Sequence, residues 1–247
     1  MSKKSEKLSI VVPTKGRHDC VKTEVRNQIL VVDSSEKELY ENHNECEIEV
    51  CPDFKSLAKK RNWILTRFGN VFMLDDDIVT IERMQDGEED YLLSPAEAEI
   101  LIRKTADRAI DAGCYLFGFN NDANPAHYNA MKPIMLKGFI NGCAMGVLRG
   151  GDLFFSERVV AAEDYWINLL NAYKHRICFI DKRYVFKQEA GSTFVKKGGQ
   201  AGNRTLETEK RDSLFLRAHF GESIQLKKKR YVTGKSSQYE RSLNIRL

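Results

Sequence analysis

Short apolar runs, each closed by a residue able to carry chemistry, limit most sharply what this chain can fold into. The run at residues 8–13 leads into Pro13-Thr14, the run at 28–33 ends in Asp33, and Val71-Phe72-Met73-Leu74 ends in Asp75-Asp76-Asp77. Between them lie amphipathic stretches, the alternation expected of an α/β chain with a mostly parallel central sheet flanked by helices. A parallel sheet collects the carboxyl ends of its strands along one edge, and ligands bind just beyond that edge. The three terminations therefore converge on one cleft.

The pattern predicts strands over 8–13, 28–33, 47–51, 70–74, 114–119, 139–148 and 177–180. Helices are predicted over 34–42, opened by Ser34, and over 53–68, capped by Asp53 with Leu57, Trp63 and Ile64 on the apolar face. A third helix starts at Ser94-Pro95-Ala96-Glu97, with a serine cap, proline first and glutamate third, and stops at Gly113. Two more are expected over 160–173 and 206–220. Gly142 and Gly146 fall inside a predicted strand, where glycine marks close approach of a ligand or another backbone. One α/β domain over 8–221 is expected, with a polar tail at 1–7 and a basic extension at 222–247.

A chain of 247 residues, 42% hydrophobic and 30% charged, has material for one sizeable core. No apolar stretch approaches the ~20 residues that span a bilayer. The apolar run at 8–12 is too short for a signal-peptide core. Six cysteines without C-x-x-C spacing point to free thiols in a reducing cytoplasm and offer no zinc pattern. The net charge of +4 hides an asymmetry. Residues 181–247 hold 16 Lys/Arg against 7 Asp/Glu, whereas residues 1–180 hold 23 against 28. Such a split suits a basic segment facing a polyanion, or a solubilising tail.

Three adjacent carboxylates repel one another unless something positive lies among them. A solvated loop after a buried strand is one reading of the triplet. Its place at the carboxyl edge gives another: hard oxygens suit Mg²⁺ or Mn²⁺, which complete their shells with substrate phosphates. Asp33 either starts a turn or faces the same cleft. Arg61 is a surface charge, or a partner for the triplet or a diphosphate, because guanidinium makes forked contacts with oxyanions. Glu163-Asp164 open a helix, where the dipole favours acids; a carboxylate held in a cleft is also a general base for an attacking hydroxyl. Lys196-Lys197-Gly198-Gly199-Gln200, followed by Arg204, is a flexible loop or a backbone cradle for phosphates. His219 is surface or core filler unless the fold returns it to Asp77 as a third metal ligand.

Taken in order, Pro13-Thr14 with Arg17, Lys60-Arg61-Asn62, Met73-Leu74-Asp75-Asp76-Asp77, Gly142-x-Ala144-Met145-Gly146 and Glu163-Asp164 resemble the nucleotide-sugar glycosyltransferases of the GT-A fold. The set covers most of residues 8–220. The resemblance implies a GT-A-like, Rossmann-like domain and a donor such as a UDP-sugar. It places Mn²⁺ or Mg²⁺ on the donor diphosphate, held by Asp77 and Asp75. Pro13, Thr14, Arg17, Asp76 and Gly142 would line the donor, Asp33 would touch its base, and Lys197, Gly198, Gly199 and Gln200 would cradle it. Arg61 would meet the diphosphate or the triplet. Asp164, with Glu163 beside it, would be the base of an inverting transfer.

Arg61-Asn62 before the triplet, the Glu163-Asp164 helix, the Lys-Gly-Gly-Gln loop and the basic end resemble more closely the TET/JBP-associated DNA glycosyltransferases of phages. That resemblance implies the hydroxymethyl group of a modified pyrimidine in DNA as acceptor and the cytoplasm of a phage-infected bacterium as setting. Lys227, Lys228, Lys229 and Arg230 would then lie on the phosphate backbone. One departure is the short segment between the first two strands, Arg17 to Asn27, which alters the base pocket of the family-2 pattern. A saccharide, lipid-linked or protein acceptor is the rival within the fold. A non-catalytic nucleic-acid-binding protein is the rival outside it, and the intact acid clusters disfavour that reading.

Overall fold

The computed structural model describes residues 7–84, 91–189, 205–226 and 241–244. Strands β1 (Ser9–Pro13), β2 (Gln28–Asp33), β3 (Glu47–Cys51) and β4 (Val71–Leu74) alternate with helices α1 (Lys37–His43) and α2 (Leu57–Phe68). Then follow β5 (Ile78–Arg83), α3 (Pro95–Asp111), β6 (Leu116–Asn120), β7 (Ile134–Met135), β8 (Ala144–Val147), α4 (Glu163–His175) and β9 (Phe179–Gln188). Helix α5 (Leu206–Phe220) leads to an antiparallel pair, β10 (Ile224–Leu226) with β11 (Arg241–Leu243).

The main sheet runs β3-β2-β1-β4-β8-β6-β9-β5, with β7 also on β9. Strands β1 to β4 pair in parallel, as do β6 and β9. Strands β8, β5 and β7 run against their neighbours. This is the mostly parallel α/β architecture, with helices on both faces, expected from the sequence. Continuous apolar runs arise because both faces are covered. Successive side chains alternate faces: Ile10 and Val12 join a core with Ala98, Ile102 and Ala106 of α3, while Val11 joins one with Ile64 of α2 and Ile167 of α4.

Several boundaries differ from expectation, each for a local reason. Helix α2 begins at Leu57, capped by Ser56, whose hydroxyl accepts from the Lys59 amide. Asp53 instead accepts from the Ser34 hydroxyl at 2.9 Å and the Ser35 amide at 3.0 Å, tying together the loops after β2 and β3. Ser34 therefore caps nothing, and a 3-10 turn over Ser34–Glu36 precedes α1. The capping box at Ser94 and Glu97 is present as read. The strand expected over 139–148 shortens to β8, leaving Gly142 in the preceding turn. At Gly146 the close neighbour is neither ligand nor backbone: a Cβ there would lie 2.0 Å from the Phe117 ring. The strand at 177–180 continues to Gln188, and β5 was unforeseen. In the extension, Ile224 and Leu243 pack with Trp166 and Leu216, so its described part joins the α4–α5 face. Among the described residues no helix is long and apolar enough to cross a membrane, and the six cysteines are free.

Candidate active site

The aspartate triplet forms the turn between β4 and β5. Asp76 turns to the loop after β1, accepting from the Thr14 hydroxyl at 2.6 Å and from Arg17 Nη1 at 2.5 Å. Asp77 Oδ2 also lies 3.8 Å from Arg17 Nη1, and Asp75 and Asp77 meet at Gln188. The Gln188 amide nitrogen donates to Asp75 Oδ2 at 3.1 Å and Asp77 Oδ1 at 2.9 Å. Strand register forces this meeting, because Gln188 pairs with Ile78, the residue after Asp77. The backbone of the turn is fixed as well: the Thr23 hydroxyl donates to the Asp75 carbonyl and accepts from the Ile78 amide.

Helix α2 supplies three consecutive side chains to three places, as a ~100° step per residue allows. Lys60 Nζ donates to Asp33 Oδ1 at 2.8 Å and the Thr14 carbonyl at 2.6 Å. Arg61, only 1% exposed, donates to Asp75 at 3.1 Å, to the Gly142 carbonyl at 2.9 Å and to Glu163 at 3.3 Å. Asn62 exchanges two hydrogen bonds with the Phe155 backbone, both 2.8 Å. Arg61 thus resolves as a partner of the acids, tying the triplet to the start of α4. Gly142 is required there: a Cβ would sit 2.9 Å from Arg61 Nη1 and 3.1 Å from Asp164 Cβ.

These groups border a cavity of about 180 Å³ lined by Arg61, Asp75, Asn141, Gly142, Glu163, Asp164 and Gln188, among others. Asn141, Cys143 and Gln188 also line a second hollow of about 310 Å³ over the ends of β6 and β9. A larger hollow of about 1140 Å³ lies at the other end of the molecule, beside Ser9, Gln28 and Glu47 at the amino ends of β1, β2 and β3. It holds none of the clustered acids, so chemistry rather than size picks the smaller cavity. Although 32% of the Asp75 side-chain surface is accessible, that surface faces this narrow space. Desolvation pushes its carboxyl up to about 7, against the pull of Arg61 and with help from Asp77, Asp76 and Glu163. Asp164 Oδ1 accepts from the Tyr165 amide at 2.8 Å, a contact proper to a helix start.

Other expected site residues lie elsewhere or are otherwise engaged. Asp33 is fully buried, with one oxygen toward Lys60 and the other toward Lys15. The fold does not bring His219 to the triplet. Its Nδ1 faces the Phe215 carbonyl at 2.8 Å, and its ring packs against Trp166 and Phe215. Among the described residues no three His, Cys, Asp or Glu side chains form a metal-holding group. Lys197, Gly198, Gly199, Gln200, Lys227, Lys228, Lys229 and Arg230 lie outside the described residues. Gln188 and Lys15 were missed, and Lys60 was named in a motif without a role of its own. Gln188 stood eight residues past the expected end of its strand, and only the register reveals it.

Comparison with solved structures gives weak likenesses. TarS 1–349 of S. aureus aligns at a TM-score of 0.47 and 15% identity, covering 88% of this chain and 72% of that one. CMP:2-keto-3-deoxy-manno-octonic acid synthetase complexed with CTP aligns at 0.41 and 15%, covering 86% and 99%. Comparison with curated proteins finds no match. A protein family described as TET-associated glycosyltransferase matches residues 8–199, a span that holds every strand of the main sheet, the aspartate turn and the acid pair of α4. The chain belongs to that family and is a glycosyltransferase with a nucleotide-sugar donor.

Proposed function

We propose that this enzyme moves a sugar from a UDP-sugar to the hydroxymethyl group of a modified pyrimidine in DNA, assisted by a divalent cation. The observation that carries the reading is one cavity shared by Asp75, Glu163 and Asp164, with Asp77 joined to it through Gln188. Asp75 and Asp77 already converge on one electropositive group, the Gln188 amide, and such a set of hard oxygens fits Mg²⁺ or Mn²⁺. Asp75 and Asp77 would hold such an ion, which would supply Lewis-acid charge toward the nucleotide diphosphate.

The chain's own groups divide the remaining tasks. Thr14 and Arg17 hold Asp76, which keeps the loop after β1 against the triplet. Lys15 is about half exposed at 48%, so its displacement would open Asp33 to the nucleotide base. Asp164, which lines the cavity beside Glu163, is the carboxylate that takes the acceptor's proton. The hollow beside the cavity would receive the acceptor, and a base swung out of the duplex would reach it. The excess of 16 basic over 7 acidic residues after residue 180 supports a phosphate-rich acceptor.

The test is incubation of the enzyme and Mn²⁺ with duplexes carrying 5-hydroxymethylcytosine or 5-hydroxymethyluracil and a panel of nucleotide-sugars. Nucleoside mass analysis should show one added sugar on a hydroxymethylated base. Transfer to free saccharides, with both duplexes left unmodified, would overturn the DNA acceptor and keep the enzyme class.

A further inference from the structure

We infer that Asp212, on α5, is a positioning residue that holds the backbone leading into α4 and so aims Asp164 into the cavity. Helix α4 starts behind Ala162, which has no side-chain oxygen and makes no side-chain cap bond. The chain just before it is held instead from 51 and 52 residues away in sequence. Asp212 Oδ2 accepts from the Val160 amide at 2.8 Å and the Ala161 amide at 2.6 Å. Val160 and Ala161 themselves line the cavity, next to Glu163 and Asp164.

The clamp is costly in a way that packing alone does not explain. Asp212 is fully buried, and among the described residues its Oδ1 has no hydrogen-bond partner; Arg211 pairs with it only at 3.6 Å. A buried carboxylate with an oxygen that lacks a hydrogen bond is costly, and its removal would take the acceptor from the Val160 and Ala161 amides. Charge-assisted bonds to two amides fix a backbone more tightly than neutral bonds. Helix α5 is itself anchored, since Leu216, Phe215 and Phe220 pack around Trp166 of α4. The acid pair is thus set by a buried charge on a second, docked helix.

The inference rests on Asp164 as the base, and the test separates the two. Asp212→Ala, Asp212→Asn and Asp164→Asn are compared with the wild type in three measurements. These are amide exchange at Val160 and Ala161, UDP binding with Mn²⁺, and kcat and KM with UDP-glucose and a 5-hydroxymethylcytosine duplex. Asp212→Ala should speed exchange at both amides and lower kcat about 100-fold, the scale of a ~1 Å misplacement. UDP affinity and donor KM should stay within about twofold, because misplacing the base leaves uniform donor binding untouched. Asp212→Asn keeps one acceptor oxygen and should recover most of the lost kcat. Should the alanine variant fail to fold, the asparagine variant decides by its own exchange at Val160 and Ala161, which must exceed the wild type. Unchanged exchange there, or an unchanged kcat in Asp212→Ala while Asp164→Asn is inactive, would overturn the clamp. Normal kcat in Asp164→Asn would instead remove the base assignment, and exchange would still report on the clamp.

Discussion

Asp75, Asp76 and Asp77 share a side chain and differ in what each one holds. Asp76 neutralises Arg17, and both are buried at under 10% exposure. Removing it strips the buried guanidinium of its hydrogen-bonded carboxylate and leaves Asp77 at 3.8 Å, a change that costs about 1–3 kcal/mol. Asp76→Ala should therefore lower the melting temperature clearly, whereas Asp77→Asn, which keeps shape and the Gln188 contact, should leave it nearly unchanged. In Mn²⁺-dependent turnover Asp77→Asn should lose most activity; near-normal turnover at saturating Mn²⁺ would remove Asp77 from the metal site. Asp164→Asn should abolish transfer with donor binding intact. A dead Glu163→Gln beside an active Asp164→Asn would exchange their roles, and mild equal effects would leave both as helix-dipole acids. The sequence showed the acids, since a charged triplet after a buried strand is conspicuous. It did not show which acid faces which way, because that depends on Thr14, Arg17 and Gln188, brought in from distant strands by register.

Among the elements, β8 depends on a residue it lacks. Gly146 pairs with both Phe72 and Phe117 across the sheet, and those rings stack at 5.5 Å in the space a Cβ would fill. Gly146→Ala should cost about 1–3 kcal/mol through overpacking, a drop of roughly 2–12 °C in melting temperature for a domain of this size. An unchanged melting temperature would mean the sheet yields at no cost there. Helix α3 is fastened to the turn before β2 by Glu99, which receives Arg26, Asn27 and Arg103. Those hydrogen bonds, led by Arg26, pull its carboxyl down to about 2. A depressed carboxyl adds stability above its unfolded pKa of about 4.3, and that stability is lost as pH falls through about 2, since the unfolded state takes protons first. Acid titration of stability should show this loss in the wild type and a flatter curve in Glu99→Gln; parallel curves would deny Glu99 the role. Elements that alternate apolar runs with strong caps, such as β2 and α3, were legible from the chain alone. Strand β5 and the far half of β9 were not, because each is specified by pairing with the other.

Across the whole molecule, charge divides within β9, at residue 181. The α/β body is acidic overall and the last 67 residues are basic, yet α5 with β10 and β11 packs on α4 directly behind the acid pair. In the proposed reading the basic segment meets the phosphate backbone of the duplex. Contacts of that kind release counterions, so duplex affinity should fall log-linearly with salt, with a slope of roughly −0.9 per phosphate neutralised. Removing charge at Lys227, Lys228, Lys229 and Arg230 should weaken duplex binding and flatten the slope. Nucleotide-sugar hydrolysis should not change, because none of the four residues is among those proposed to hold the donor. A small saccharide acceptor has no phosphate array, and its use would be indifferent to the same four changes. Titration of a hydroxymethylated duplex at several salt concentrations, wild type against the fourfold variant, decides between them. Affinity that ignores salt, or a slope unmoved by the four substitutions, would leave the basic end a solvated tail and return the acceptor to the sugars.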